Sequence, residues 1–360
     1  MEIIFSDKHN LHNVGGRYLW KEGETAFSYW EREKINIAPG PGDDFESPAR
    51  MLSIVDAISK SALGSITSPK DFGLDPILAV HNQDYIHFLK TIYAENAKLV
   101  GFSGPVFPET LAVRSVGRKP TGLRGLKGYY AFDVYTPIVE GTWDAAYWSV
   151  QCALTAADLV RSGSGIAYAA CRPSGHHASS DLYGGFCFLN NAAVAARYLQ
   201  EKSQTKVAIL DIDFHHGNGT QAIFYSDPNV LFCSLHGDPE FAFPYYTGNI
   251  DETGEGAGQG FNHNWPLPFG TDDLLYLKNL EAAISVVRDF HPGYLVISAG
   301  FDIGAGDPYG GFNITRNGIH EIGKSISRLT QSIPTLVIQE GGYVPDLLGE
   351  YVVTFLQAFS

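Results

Sequence analysis

Short, nearly unbroken apolar runs alternate along the chain with segments whose apolar residues recur every three or four positions. The runs VAILDID (207–213), VLFCSL (230–235), YLVISA (294–299) and TLVIQ (335–339) are rich in β-branched residues and read as strands, with IAYAA (166–170) and EIIFS (2–6) as further candidates. Runs that are apolar at almost every position suit parallel strands buried on both faces. Segments 143–160, 191–202, 272–290 and 319–329 carry helical spacing between them. This alternation predicts a single doubly wound α/β domain over residues 1–360, with helices on both faces of the sheet. Segments 31–48 and 101–128, punctuated by Pro and Gly, are expected to be surface loops that border the site or a subunit contact.

Composition and charge narrow the classes of function. A hydrophobic content of 44% with 13% aromatics is ample for a buried core. The formal net charge of −14 repels phosphate backbones, which disfavours nucleic acid as a partner and favours cationic substrates. Cys152, Cys171, Cys187 and Cys233 are scattered without a C-x-x-C pair, so neither a disulfide framework nor a thiolate zinc site is expected. Such cysteine usage fits a reduced, cytoplasmic setting. The first ten residues hold Glu2, Asp7 and Lys8 in place of a signal-peptide core, and no apolar run reaches the roughly 18 residues of a membrane helix. No membrane partner is expected.

Four stretches carry chemistry: RPSGHHA (172–178), DIDFHHGNG (211–219), SAGFDIGAGDP (298–308) and QEGGY (339–343). In the second, the strand period of two places Asp211, Asp213 and His215 on one side as the run ends. A carboxylate and an imidazole at that spacing can share one ion, and the N/O donor set suits zinc or ferrous iron better than magnesium or calcium. Asp302, directly after another apolar strand, is the candidate third ligand. Three protein ligands leave a position open for water and substrate, as a catalytic site requires. His176 and His177 are candidates for proton transfer, with Asp211 and Asn218 as their orienting partners. Asp211 would favour a charged His176, whereas the neutral Asn218 would leave His177 closer to a neutral base. Two glycines ahead of Tyr343 let the backbone turn tightly and bring a phenol toward a developing oxyanion.

With these motifs in this order, the chain resembles the arginase/deacetylase superfamily, within it the histone deacetylase-like enzymes, over roughly residues 1–345. The resemblance implies a three-layer fold with an eight-stranded, mostly parallel sheet. It also implies one catalytic zinc held by Asp213, His215 and Asp302, and a structural potassium ion near Asp211, Asp213, His215, Ser234 and Leu235. Gly185, Phe186 and Phe243 would line a substrate tunnel, with His176, His177 and Tyr343 as the catalytic residues. Dimanganese ureohydrolases share the superfamily, but their extra carboxylates would fall at Gly217 and Gly304. The long segment 105–143, overlapping a loop at about 101–137, and SLHGDPEFAFPYYTG most resemble bacterial acetylpolyamine amidohydrolases, in which the long loop builds a homodimer interface. An acetylated small amine is thus the first expected substrate, acetyl-lysine in a peptide or protein the second, and a non-catalytic acyl-binding role a rival. Arg124 is a departure. Where those enzymes carry an acidic residue to read a distal ammonium, this chain has five basic and no acidic residues between Ala112 and Ala131. Lining the mouth, such a loop would repel a polycation, leaving Glu22 and Glu46 as candidate replacements.

Overall fold

The computed structural model describes residues 1–14, 46–101, 103–115 and 117–359. Six strands grow from the predicted runs: β1 (Glu2–Phe5), β3 (Ile166–Ala170), β4 (Val207–Asp211), β5 (Val230–Gly237), β7 (Tyr294–Ala299) and β8 (Thr335–Gln339). The other two, β2 (Ser65–Thr67) and β6 (Asn262–Leu267), are the sheet edges; partly exposed and mixed in polarity, they carry no apolar signature. The order is β2-β1-β3-β8-β7-β4-β5-β6, and every pairing is parallel. The sheet is therefore wholly rather than mostly parallel.

The pleat splits the core into two layers. Val207, Ile209 and Val296 join one apolar cluster, whereas Ala208, Leu210, Leu295 and Ile297 join the other. The described helices are α1 (Ala49–Ser59), α2 (Asp75–Leu78), α3 (Gln83–Val100), α4 (Leu123–Tyr129), α5 (Thr142–Arg161), α6 (Asn191–Ser203), α7 (Asn218–Phe224), α8 (Asp273–Phe290), α9 (Arg316–Thr330) and α10 (Pro345–Gln357). Helices α3, α5 and α6 cover the first face, and α1, α8, α9 and α10 the second. Side-chain oxygens start three of them: Asn190 accepts from the Ala193 amide, Asp272 from Leu275 and Thr315 from Gly318. Segment 101–128, expected to be irregular, contains the start of α4, and most of 31–48 lies outside the described residues.

Topology explains why four distant motifs can converge. They follow β3, β4, β7 and β8, which are neighbours in the sheet in the order β3-β8-β7-β4. Because these strands are parallel, their carboxyl ends share one edge, where open α/β sheets build their sites.

Candidate active site

Three candidate ligand side chains meet at that edge. Asp213, His215 and Asp302 each offer one donor atom, and these atoms lie within 4.8 Å of one another. His215 Nδ1 stands 3.3 Å from Asp213 Oδ1 and 3.1 Å from Asp302 Oδ2. Backbone amides hold the carboxylates: Phe214 N–H donates to Asp302 Oδ1 (3.0 Å) and Gly341 N–H to Asp213 Oδ2 (2.8 Å). Two glycines make the space. A Cβ at Gly300 would lie 1.9 Å from Asp213 Oδ2, and one at Gly341 2.3 Å from Asp302 Oδ2. Burial, reinforced by the Asp213 charge, pushes Asp302 up to about 7. Crowded, desolvated carboxylates beside an imidazole are a donor set that a divalent cation would complete, so the residues fit a metal.

Beside the triad, the rings of His176 and His177 pack with centroids 4.0 Å apart. His176 Nδ1 is 3.0 Å from Asp211 Oδ2, and His177 Nδ1 is 2.7 Å from Asn218 Oδ1. Burial disfavours charge on His176, yet Asp213 and Asp211 outweigh it and hold the imidazole up to about 10. For His177, burial and then the His176 and His215 charges lower the pKa well below its ordinary value. A residue the motif reading passed over supports this loop. Glu340, buried, accepts the Gly175 (2.7 Å) and His176 (3.3 Å) amides and the Ser298 hydroxyl (3.2 Å). Its signal was available: like Asp302, it is an acid directly after an apolar strand.

Aromatic rings surround the triad. Phe243 stands edge-on to His177 (5.1 Å) and His215 (6.2 Å), while Phe186 lies 6.1 Å from the Tyr343 ring and 5.9 Å from Tyr309. Gly185 is required by contact as well as conformation: at φ +56°, its Cβ would sit 2.2 Å from the His177 ring. Phe132, unmarked in sequence, reaches in from the long loop to 5.8 Å from Phe243 and 6.5 Å from His177. Beneath Tyr343, the Arg50 guanidinium packs 4.7 Å from the ring centroid and donates to the carbonyls of Gly342 and Glu340 (both 2.6 Å). Asp211 and Ser234 are register partners on β4 and β5, and burial raises Asp211, so this acid too stands where a cation would offset its charge.

The charges expected at the mouth are placed differently in the structure. Glu46 is buried and paired with Arg50 and Arg172, so it does not read a substrate ammonium at the mouth. Glu22 lies outside the described residues. Of the five basic residues, Arg114 pairs with Asp181, Lys119 with Asp84 and Lys127 with Glu109, whereas Arg124 is exposed on α4. Most of the loop's charge is therefore neutralised locally.

The histone deacetylase domain matches residues 44–359 of the chain. The chain belongs to this histone deacetylase family. This deacetylase is 43% identical over 363 residues to acetylpolyamine amidohydrolase 1 of Pseudomonas aeruginosa, covering 100% of the chain and 99% of the relative. It is 38% identical over 349 residues to the acetylpolyamine amidohydrolase of Mycoplana ramosa, covering 96% of each. The crystal structure of an acetylpolyamine aminohydrolase from Burkholderia pseudomallei superposes with a TM-score of 0.88 at 37% identity, covering 100% of this chain and 98% of that one. The protein is thus a metal-dependent hydrolytic deacetylase with the three-layer fold of that family. Where dimanganese ureohydrolases would carry extra carboxylates this chain has glycines in close packing: a Cβ at Gly217 would lie 2.3 Å from Asp211 Oδ2, and one at Gly304 2.4 Å from the Tyr351 ring. No helix among the described residues is long and apolar enough to cross a membrane.

Proposed function

We propose that this deacetylase removes acetyl groups from small acetylated primary amines of the acetylpolyamine type, using one zinc ion. Similarity to an acetylpolyamine amidohydrolase along 100% of the chain carries this reading; a histone deacetylase of Arabidopsis thaliana matches 56% of it. Bound by Asp213, His215 and Asp302, the metal would polarise the acetyl carbonyl and acidify a water molecule. With Asn218 Oδ1 accepting from Nδ1–H, His177 keeps its lone pair on Nε2 and takes the water proton. His176, paired with Asp211, holds positive charge next to it. Burial pushes the Tyr343 phenol well above its ordinary value, so its hydroxyl stays protonated and donates to the tetrahedral oxyanion. A histidine proton then passes to the departing amine, while Phe186 and Phe243 grip its methylenes.

Ferrous iron is the alternative metal for the same N/O donor set. A structural potassium ion held near Asp211, Asp213, His215, Ser234 and Leu235 belongs to the reading, as does a homodimer joined through the long loop. Four buried free cysteines support a cytoplasmic setting. Steady-state comparison of acetylated putrescine, cadaverine and spermidine with an acetyl-lysine peptide tests the substrate. The acetylated polyamines are expected to have the higher kcat/KM; a peptide preferred by about a hundredfold or more would overturn the assignment.

A further inference from the structure

Phe186 has a backbone φ of +63°, in the left-handed region that residues with a Cβ rarely occupy, and it directly follows Gly185 at +56°. Two consecutive left-handed residues turn the segment 184–187 sharply, with Gly184 bridged to Cys187. Such strain persists only where surrounding contacts over-determine it.

Those contacts come from the long loop, about fifty residues earlier in sequence. The Gly185 amide donates to Asp133 Oδ2 (2.5 Å), and the Phe186 amide donates to Thr136 Oγ1 (3.0 Å). The Thr136 hydroxyl in turn donates to Asp133 Oδ2 (3.0 Å), which turns its lone pair toward Phe186. The other carboxylate oxygen accepts from the Tyr135 and Thr136 amides, so Asp133 is itself fixed by a local turn. A turn-forming aspartate needs only that second oxygen. The first serves the tunnel segment. Ladder contacts put the loop in reach, since Ala131 bridges Tyr183 and the Phe132 amide donates to the Tyr183 carbonyl (3.0 Å). Asp133 and Thr136 are both buried, so water does not compete for these bonds.

We propose that Asp133 and Thr136 are positioning residues that hold Gly185 and Phe186 in this conformation and thereby set the width of the tunnel around the amine's alkyl chain. The inference deepens the proposed function and rests on it for its kinetic consequence. A wall that grips methylenes binds ground state and transition state alike, so its displacement raises KM and leaves kcat in place.

The test compares wild type with Thr136→Val, Thr136→Ser and Asp133→Asn, using acetylated putrescine as the narrow substrate and N-acetylbenzylamine as the wide one. Thr136→Val is expected to raise KM for the narrow substrate about tenfold with kcat within about twofold, and to lower the narrow-to-wide preference in kcat/KM about tenfold. Thr136→Ser, which keeps the acceptor, is expected to behave as wild type. A merely structural role would lower the active fraction, and hence kcat, in proportion for both substrates. Crystal structures supply a readout independent of turnover: residue 186 is expected to leave the left-handed region in Thr136→Val. An unchanged preference together with a retained positive φ would overturn the inference. Should Thr136→Val not fold, Asp133→Asn carries the same two readouts. A wild type inactive on every acetylated amine would sink the proposed function alone, and the φ of residue 186 would then decide this inference.

Discussion

Tyr343 is placed by contacts on every side of its ring. Phe186 and Tyr309 flank it, Arg50 lies beneath, and its amide donates to Asp307 Oδ2 (2.7 Å). Replacement by Phe keeps all of these and deletes only the hydroxyl. Turnover should fall about 10²–10³-fold, the usual loss for one oxyanion donor, while metal content measured on the purified protein stays unchanged. Unchanged turnover would remove the phenol from the mechanism. At this scale the sequence was legible where a residue's chemistry and its place after a strand coincide. Asp213, His215 and Asp302 meet on this ground, as do the pairs His176–Asp211 and His177–Asn218. Arg50, Asp133 and Thr136 left no such mark. Each acts through backbone atoms far away in sequence, and the Arg50 bonds to Gly342 and Glu340 span 292 and 290 residues. No local pattern encodes a partner of that kind.

Elements were legible in proportion to their burial. The six strands with continuous apolar runs lie in the sheet where both faces are covered, whereas β2 and β6 sit on edges where polar residues are tolerated. Helices α1 and α10 were missed, yet they pack closely against each other, and a glycine sets their approach. A Cβ at Gly349 would lie 2.4 Å from the Ser53 carbonyl oxygen and 2.8 Å from the Ala57 Cβ. Two effects of Gly349→Ala compete. Alanine improves helix propensity by about 1 kcal/mol, whereas forcing a methyl against backbone costs about 1–3 kcal/mol or more, because backbone cannot swing aside as a flexible side chain can. The clash should win, with the urea midpoint lowered and the m-value unchanged. A higher midpoint would mean that the helices separate freely.

At the scale of the whole molecule, the two layers and the catalytic edge are tied by buried polar groups whose protonation is fixed by folding, which makes stability depend on pH. His81, buried, accepts the Asn190 amide at Nε2 (2.9 Å), and Asn190 both caps α6 and donates to the Ala178 carbonyl (2.9 Å) behind the histidine loop. The bond requires an unprotonated Nε2. Burial lowers the His81 pKa from 6.5 to about 4, against smaller opposing contributions from the Ser180 and Ser179 backbone and from Asp181. Between those values the unfolded chain binds a proton that the folded protein refuses. His81 therefore costs nothing above pH 6.5, and the fold loses stability as pH falls through the window toward 4, at up to about 1.4 kcal/mol per unit. His81→Gln offers the Asn190 amide a neutral acceptor that does not titrate there. Subtracting one stability–pH curve from the other cancels the remaining groups, including the active-site carboxylates. The wild-type advantage over His81→Gln, from urea unfolding of the two proteins, should shrink by about 3 kcal/mol between pH 6.5 and pH 4. Parallel curves would mean that His81 titrates alike in both states and that the Asn190 bond does not depend on its neutral form.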